Sequence, residues 1–593
     1  MPSVVAVLDR RGDSGTASVE RMLAAAPHRG DERQVVRHGH CLLGVSNRSS
    51  RHEASIAVDG DLGVAVNGVI DNAADLARAL GLRNGPEFSH AALLLAAFRR
   101  LGWRAPRDLR GVFAAVVTDG QRAWAFRDQL GFRSLFYRNE PDRVFFASEA
   151  KQVVAGAGIA RRPDPDVVAA IVFSDYDDDT PCAVSGVRRL AKSTVMMAGA
   201  GRSEFRRYWD PESLIETATF SEEELQERFD ELMDQANARM LTGHDAVSLS
   251  GGIDSPAIAA YAAPRHLELG GRPLSALSAV YPDQPSVDER EYIEIVAADL
   301  DIPLHTFEHQ AGQLDRLTEW VEVLDGPTPV WAVNEVDESY RRAEALGFRT
   351  LLTGEVAEHV MAMRSHLETH LIYHGRFRAL QAQLRLQQGA GAGPARTARN
   401  LIRWAAPGRL RYMRSRRQDR YRGAPRPDFL DAERLEGGDS DLLVGARTRW
   451  HDRQLVAFGG PGIGVEADEV RQELRNIMVR MPWTDVDLWE FFISLRAEQK
   501  FPGRRSKDLV RHLLRGRVPD AILDREKPTV FNEAIMAGVD YPALRHWILG
   551  HDRNVDGVDY GALAGHLERE DLTLWEYIWA RDLAVAHAFL SLG

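Results

Sequence analysis

The stretch "DAVSLSGGIDSPAIAAYAA", Asp245 to Ala263, decides how the rest of the chain is read. Val247, Ser248 and Leu249 end a strand, Ser250, Gly251, Gly252, Asp254 and Ser255 form a turn, and Pro256 stands where the first helical residue is expected. A strand that passes through a glycine turn into a helix gathers unpaired backbone N–H groups and a partial positive charge at one point, which suits a phosphate. Gly251 and Gly252 let the backbone approach a ligand, and Ser250 and Ser255 add hydroxyl donors. The turn is not a Walker A loop, because GxxxxGK[ST] is absent and no lysine lies in it. Asp254 makes chemical sense there as a ligand of Mg²⁺, which would neutralise phosphate oxygens. Spacing alone also fits a solvent-exposed Gly-Asp turn of an ordinary βα unit.

Outward from the turn, strands and helices alternate. "SEEELQERFDELMDQANARM" opens on a capping box, Ser221 with Glu224, and reads as a helix. After the turn come the strand "LSALSAVY", the helix "VDEREYIEIVAADL", the strand "PLHTFEH", one long helix ending near Leu346, and the strand "RTLLTGE". Such alternation predicts a parallel sheet covered on both faces. Gln387 to Ala395, "QQGAGAGPA", reads as a Gly/Ala linker, and the chain from about Glu466 reads as mostly helical. The amino-terminal part differs: "VVAVLD", "LGVAVNG", "GVFAAVVTD", "RAWAFRD" and "RVFFASE" are strand-like runs between turns, with a helix in "SHAALLLAAFRRLGW". The expected division is a mixed α/β and α+β chain of two domains, residues 1–205 and 206–593.

Bulk properties bound the function. A chain of 593 residues exceeds one ordinary core. No apolar run approaches the roughly 20 residues that span a bilayer, and "MPSVVAVLDRRGDSG" lacks a signal-peptide pattern, so no membrane span is expected. Two cysteines, Cys41 and Cys182, lie far apart without metal-ligand spacing, which fits a reducing cytoplasm and argues against disulfides or zinc. The net charge is −12, yet Arg364 to Pro427 holds fifteen arginines, no lysine, and only Glu368 and Asp419 as acids. That segment reads equally well as a partner surface or as a solvated helix face.

Several motifs in one order carry a family resemblance. "SLSGGIDS" resembles the pyrophosphate loop of ATP pyrophosphatases (adenine nucleotide α-hydrolase-like) of the asparagine synthetase type. "RTLLTGEVAEHV", "MPWTDVDLWEFFISLRAEQKF", "GRRSKDLVRHLL" and "DREKPTVF" resemble its later motifs, with Trp483 and Thr484 in place of Phe-Leu, and Val356, Glu358 and His359 in place of Gly, Asp and Glu. The resemblance implies that Ser250, Gly251, Gly252, Asp254 and Ser255 bind pyrophosphate and that the carbonyls near Leu249 and Val280 meet the adenine of ATP. It further implies that Gly354 lines the nucleotide site, that Asp254 and Glu358 hold Mg²⁺, that Lys527 stabilises charge on an acyl-adenylate, and that Glu355 is the base for the attacking amine. A base is chemically required, because an α-amine of pKa near 8 is mostly protonated at neutral pH.

The amino half resembles the family's glutaminase domain, an Ntn-type αββα sandwich, in "HRGD" (His28–Asp31), "VNGVIDN" (Val66–Asn72), "LRGVFAAVVTD" and "AFRDQLGFRSLFY". That domain uses a cysteine exposed by loss of Met1; here Pro2 follows, and "SHAA" (Ser89–Ala92) replaces the acidic motif that holds glutamine. A degenerate domain without glutaminase activity is expected, so the amine should arrive on a substrate. Among branches of the family without internal ammonia, the arginine-rich insertion and "SLRAEQKFPGRRSKDLVRHLLRGRVPDAILDREK" resemble the lasso peptide cyclases. That implies ATP and Mg²⁺, a precursor core peptide joined through an Asp or Glu side chain to its own amine, and the pathway's leader-binding protein and leader protease as partners. The alternatives are a β-lactam synthetase, an ammonia-dependent asparagine synthetase, a scaffold without activity, and an RNA-binding module. The last is disfavoured by an acidic chain whose basic segment holds few aromatics, so no nucleic-acid partner is expected.

Overall fold

The computed structural model describes residues 2–592 other than 12–14, 49–54, 83–88, 174–180, 200, 310–313, 315, 328–332, 362–363, 365–366, 389–392, 407–419, 422–423, 426, 432–462, 506 and 526–530. The amino-terminal part builds two six-stranded antiparallel sheets. One runs Arg188–Arg189, Phe136–Asn139, Arg143–Ala147, Ser3–Asp9, Cys41–Asn47, Glu32–His38. The other runs Ser203–Arg207, Thr194–Ala198, Ala123–Arg127, Gly111–Thr118, Leu62–Ile70, Ser55–Asp59. Successive strand residues point to opposite faces, so the apolar inner strands serve two cores, while edge strands such as Glu32–His38 and Ser203–Arg207 are polar and exposed. Val4, Ala6 and Leu8 meet Ala65, Val116 and Ala125 between the sheets. Val5, Val7 and Phe145 turn outward onto the helices Thr16–Ala24 and Ala150–Ala157. Val64, Val66 and Val117 turn outward onto His90–Leu101. The result is the expected αββα sandwich.

The rest of the chain is organised on five parallel strands in the order Leu304–Glu308, Ser275–Val280, Asp245–Ser248, Thr350–Leu352, Met478–Arg480. Glu222–Met240 and Asp254–Gly270 cover one face through Phe229, Met233, Ile258 and Tyr261. Val333–Ala345 covers the other through Tyr340 and Ala343, packed on Leu277, Phe307, Leu351 and Val479. Burial on both faces explains why these strands read as apolar runs. Among the described residues, no helix is long and apolar enough to cross a membrane.

Three local expectations are corrected, and one is refined. The region read as mostly helical also contains the edge strand Met478–Arg480, whose three residues are too short to show periodicity but pair with Thr350, Leu351 and Leu352. The long helix ending near Leu346 is two helices, Leu317–Leu324 and Val333–Ala345, the first stopped by Asp325 at φ 60° ahead of Gly326 and Pro327. The presumed linker is partly helical: Gln387 and Gln388 end Phe377–Gln388, Pro394 begins Pro394–Ala405, and 389–392 lie outside the described residues. The helix after the glycine turn begins at Asp254, two residues before Pro256. The arginine-rich insertion is pinned to the body by Arg376 on Glu216 and Glu498, by Arg364 on the Gly503 carbonyl, and by Gln383, which donates to the Phe501 carbonyl.

Candidate active site

Parallel strands end on one edge of their sheet, and the loops leaving that edge form a crevice. Three such loops meet here, those after Asp245–Ser248, Thr350–Leu352 and Met478–Arg480. They enclose a cavity of about 550 Å³ whose far wall is made by Val112, Phe132 and Arg133 of the amino-terminal sandwich. A second cavity of about 160 Å³ adjoins it, lined by Leu249, Ala279, Tyr281, Phe307, Tyr340 and Phe531. Ser248, Ser250, Thr353 and Glu355 border both.

The glycine turn is held by its own hydroxyls. Ser255 Oγ accepts from Ser250 N at 2.9 Å and lies 3.0 Å from Ser250 Oγ, while Gly252 N donates to Ser250 Oγ at 3.4 Å. Gly251 is sterically required, since a Cβ there would lie 2.8 Å from Glu289 Cβ, and its N–H donates to Glu289 Oε2 at 2.9 Å. Gly354 is required for the same reason: a Cβ would lie 2.7 Å from Ser255 N, so only glycine lets this loop touch the helix start. Arg525 ties in the C-terminal segment, donating to the Gly251 carbonyl and to Glu289, each at 2.8 Å. The Leu249 carbonyl accepts from Ser278 Oγ at 2.7 Å and the Val280 carbonyl from His309 N at 3.0 Å. Leu249 borders the smaller cavity, and Val280 stands between its lining residues Ala279 and Tyr281.

Four acids line the larger cavity: Asp254, Glu355, Glu358 and Asp468. Asp254 forms an ion pair with Lys507 through one oxygen, while Oδ1 is buried without a hydrogen-bond partner. Burial raises its pKa, Lys507 opposes that, and Glu358 adds to it. An unpartnered carboxylate oxygen facing a second carboxylate is an all-oxygen donor set suited to a hard divalent cation, so the pair fits Mg²⁺. Among the described residues no group of three or more His, Cys, Asp or Glu could hold a metal, so further ligands would come from phosphate and water. Glu355 lines the cavity and its surface is exposed there, although protein atoms crowd its carboxylate. Burial raises it to about 7, Asp468 and Glu358 push the same way, and Arg471 opposes them. Val356, the residue after it, has φ 68°, a conformation costly for a β-branched side chain. The strain falls where the resemblance leads one to expect glycine.

Some site residues were not legible in the sequence. Asp468, on Ile463–Leu474, accepts from Tyr340 Oη at 2.7 Å and from Gln472 Nε2 at 2.6 Å. Trp483, fully buried, donates its indole N–H to the Asp254 carbonyl at 3.1 Å and so fixes the first turn of the helix. Lys507, within "GRRSKDLVRHLL", is the residue that reaches Asp254. A periodic pattern in "VEADEVRQEL" was the one available signal for Asp468. Lys527 lies among residues 526–530, outside the described residues.

The amino-terminal motifs have structural occupations. Asp128 of "AFRDQLGFRSLFY" accepts from the N–H groups of Leu130, Phe132 and Arg133 at 3.0–3.1 Å, shaping the turn that delivers Phe132 and Arg133 to the cavity. Ser89 of "SHAA" caps His90–Leu101, accepting from Ala92 N. His28 and Arg29 of "HRGD" bind Glu149, Asp71 of "VNGVIDN" pairs with Arg480, and Pro2 gives its carbonyl to Arg29 at 3.1 Å. Both cysteines are free and buried, and burial pushes each thiol up to about 12.

Residues 228–554 match the asparagine synthase family, and residues 1–209 match the glutamine amidotransferase domain. The chain is 25% identical over 544 residues to asparagine synthetase [glutamine-hydrolyzing] 3 of Bacillus subtilis, covering 86% of this chain and 83% of that protein. It is 23% identical over 274 residues to asparagine synthetase [glutamine-hydrolyzing] 2 of the same organism, covering 44% of this chain and 36% of that one. Among solved structures, glutamine phosphoribosylpyrophosphate amidotransferase from B. subtilis overlaps 59% of this chain and 81% of its own, at 12% identity and a TM-score of 0.28.

Proposed function

Because the chain belongs to the asparagine synthase family of ATP-dependent amide ligases, we propose that it is a lasso peptide cyclase, joining an Asp or Glu side chain of a core peptide to that peptide's own amine. One observation carries the reading. In the amino-terminal domain both thiols are buried and protonated, and the motif side chains His28, Arg29 and Asp71 are committed to ion pairs. A domain so arranged has no thiolate among its described residues to release ammonia from glutamine. The nucleophile then arrives on a substrate, and the cavity of about 550 Å³ extends from the residues assigned to phosphate and Mg²⁺ to Val112, Phe132 and Arg133, where a substrate would lie.

In the proposed reaction a carboxylate oxygen attacks the α-phosphorus of ATP and the bond to the β-phosphate breaks, releasing pyrophosphate. The substrate amine then adds to the acyl carbon, loses a proton to Glu355, and expels AMP. Glu355 suits that transfer, since a carboxylate raised to about 7 matches the proton it must take. Ser250, Gly251, Gly252 and Ser255 bind the phosphates, and Leu249, Val280 and Gly354 border the nucleotide. Asp254 and Glu358 would hold Mg²⁺, which supplies charge neutralisation at the phosphates. Lys527 is assigned to charge on the adenylate by the resemblance alone. The arginine-rich insertion is the proposed contact for the leader-binding and protease partners.

A second reading, amide formation on a small acid with free ammonia, is favoured by the similarity to asparagine synthetases. Incubation with ATP and Mg²⁺ separates the two. Leader-cleaved precursor peptide should yield AMP, pyrophosphate and a product lighter by one water. Turnover of aspartate with ammonia, and none of the peptide, would sink the cyclase reading.

A further inference from the structure

The helix Ile463–Leu474 has two working faces. At about 100° per residue, Glu466, Glu469 and Glu473 share one side, and Asp468, Arg471 and Gln472 share the opposite one. The second set lines the larger cavity that Glu355 also borders. The first set meets the amino-terminal domain. Glu466 receives Arg189 through both oxygens, one contact at 3.0 Å. Glu469 receives Arg29 Nη1 at 2.7 Å and Ser134 N at 2.8 Å, and the Glu473 carbonyl accepts from Arg48 Nη2 at 2.5 Å. Arg29 in turn is held by Glu149, which Lys151 and His28 also contact. Three arginines from separate stretches of the sandwich thus converge on a single helix.

We propose that the amino-terminal domain serves the ligase as a clamp, in which Arg29 and Arg189 grip the outer face of this helix and thereby position Asp468 and Arg471 beside Glu355. The clamp rests on the ligase reading for its catalytic consequence. Buried ion pairs add little net stability over an apolar contact, but they fix direction, because a bidentate arginine accepts its partner in one geometry. On the inner face Asp468 is held by Tyr340, on the helix Val333–Ala345, and by Gln472 of its own helix. The clamp holds the same helix from its outer side. It also gives a domain with buried thiols a present task. Arg29, Arg189, Glu466 and Glu469 are therefore positioning residues, not catalytic ones.

The test uses the full chain in two measurements. Hydrogen exchange without ligand should speed up about tenfold across residues 463–474 in Glu469→Gln and in the milder Glu466→Gln, with residues 254–270 unchanged. In turnover with ATP and core peptide, both variants should lose about tenfold in kcat with KM for ATP unmoved, and Arg189→Lys should retain more activity than Arg189→Met. Unchanged exchange over 463–474 overturns the clamp, and so does a kcat loss that merely tracks global unfolding. If the wild-type chain turns over no peptide, the cyclase reading fails by itself, while exchange still decides whether the amino-terminal domain holds the helix.

Discussion

Asp468 and Glu469 are neighbours in sequence, about 100° apart around one helix, and face different neighbours in opposite electrostatic surroundings. Glu469 is buried, which pushes its pKa up, but Arg29 and Arg133 outweigh burial and hold it below the usual carboxylate range. Glu149, in the same cluster, is likewise held well below that range, with Lys151, His28 and Arg29 overcoming burial. Across the helix, burial raises Glu355 to about 7, and Asp468 adds to the rise where Arg471 alone opposes it. Glu149 and Glu469 are removed from water, whereas Glu355 is crowded by protein yet open to the cavity, and in both places the number of facing cations decides the outcome. Saturation with arginine makes a joint between domains. Under-compensation makes a site that can take a proton or a cation.

Asp254→Ala should cut AMP formation by about 10³-fold or more, the several kcal/mol that a metal anchor supplies, with the circular dichroism unchanged. A loss of fold instead would place Asp254 with the structural cluster. Glu355→Gln should lower kcat by about 10²- to 10⁴-fold and remove the acid limb of the pH–rate profile near 7 while ATP still binds. Its effect on stability should have the opposite sign to that of the joint. An acid raised on folding costs stability as pH climbs from the unfolded value through about 7, so Glu355→Gln should raise Tm at pH 8. Arg29→Met, which takes one cationic partner from each of two buried carboxylates, should destabilise by about 3 kcal/mol in denaturant titration. Because Glu149 and Glu469 are lowered on folding, their contribution is present above the unfolded carboxylate value and lost as pH falls below it. The Tm deficit of Arg29→Met should therefore shrink in acid. Smallest is Trp483→Phe, which removes the indole donor to the Asp254 carbonyl and should cost about 1–2 kcal/mol, read as a Tm shift.

Much of the fold was legible because periodicity is local. The alternation after Ser221, the capping box at Ser221 and Glu224, and the two-sided strands of the sandwich all declare themselves within a few residues. Met478–Arg480 did not, since a three-residue strand has no period and exists only because Thr350–Leu352 offers it a partner. In the site, Ser250, Gly251, Asp254, Ser255, Gly354 and Glu355 could be named from short motifs, each being chained to its neighbours by a tight turn. Lys507 and Trp483 could not, since what they do depends on reaching Asp254 from more than two hundred residues away.

The sequence by itself determined the glycine turn, the parallel-sheet architecture around it, and the strand-rich amino-terminal domain, because each is written in contiguous residues. Only the tertiary structure decided which charges are compensated. Arg29 and Glu469 stand 440 positions apart and meet with no solvent between them, while Asp468 and Glu469, adjacent in the chain, are driven apart by the turn of a helix. Charge compensation depends on distance and on exclusion of water, and neither is a property of sequence order.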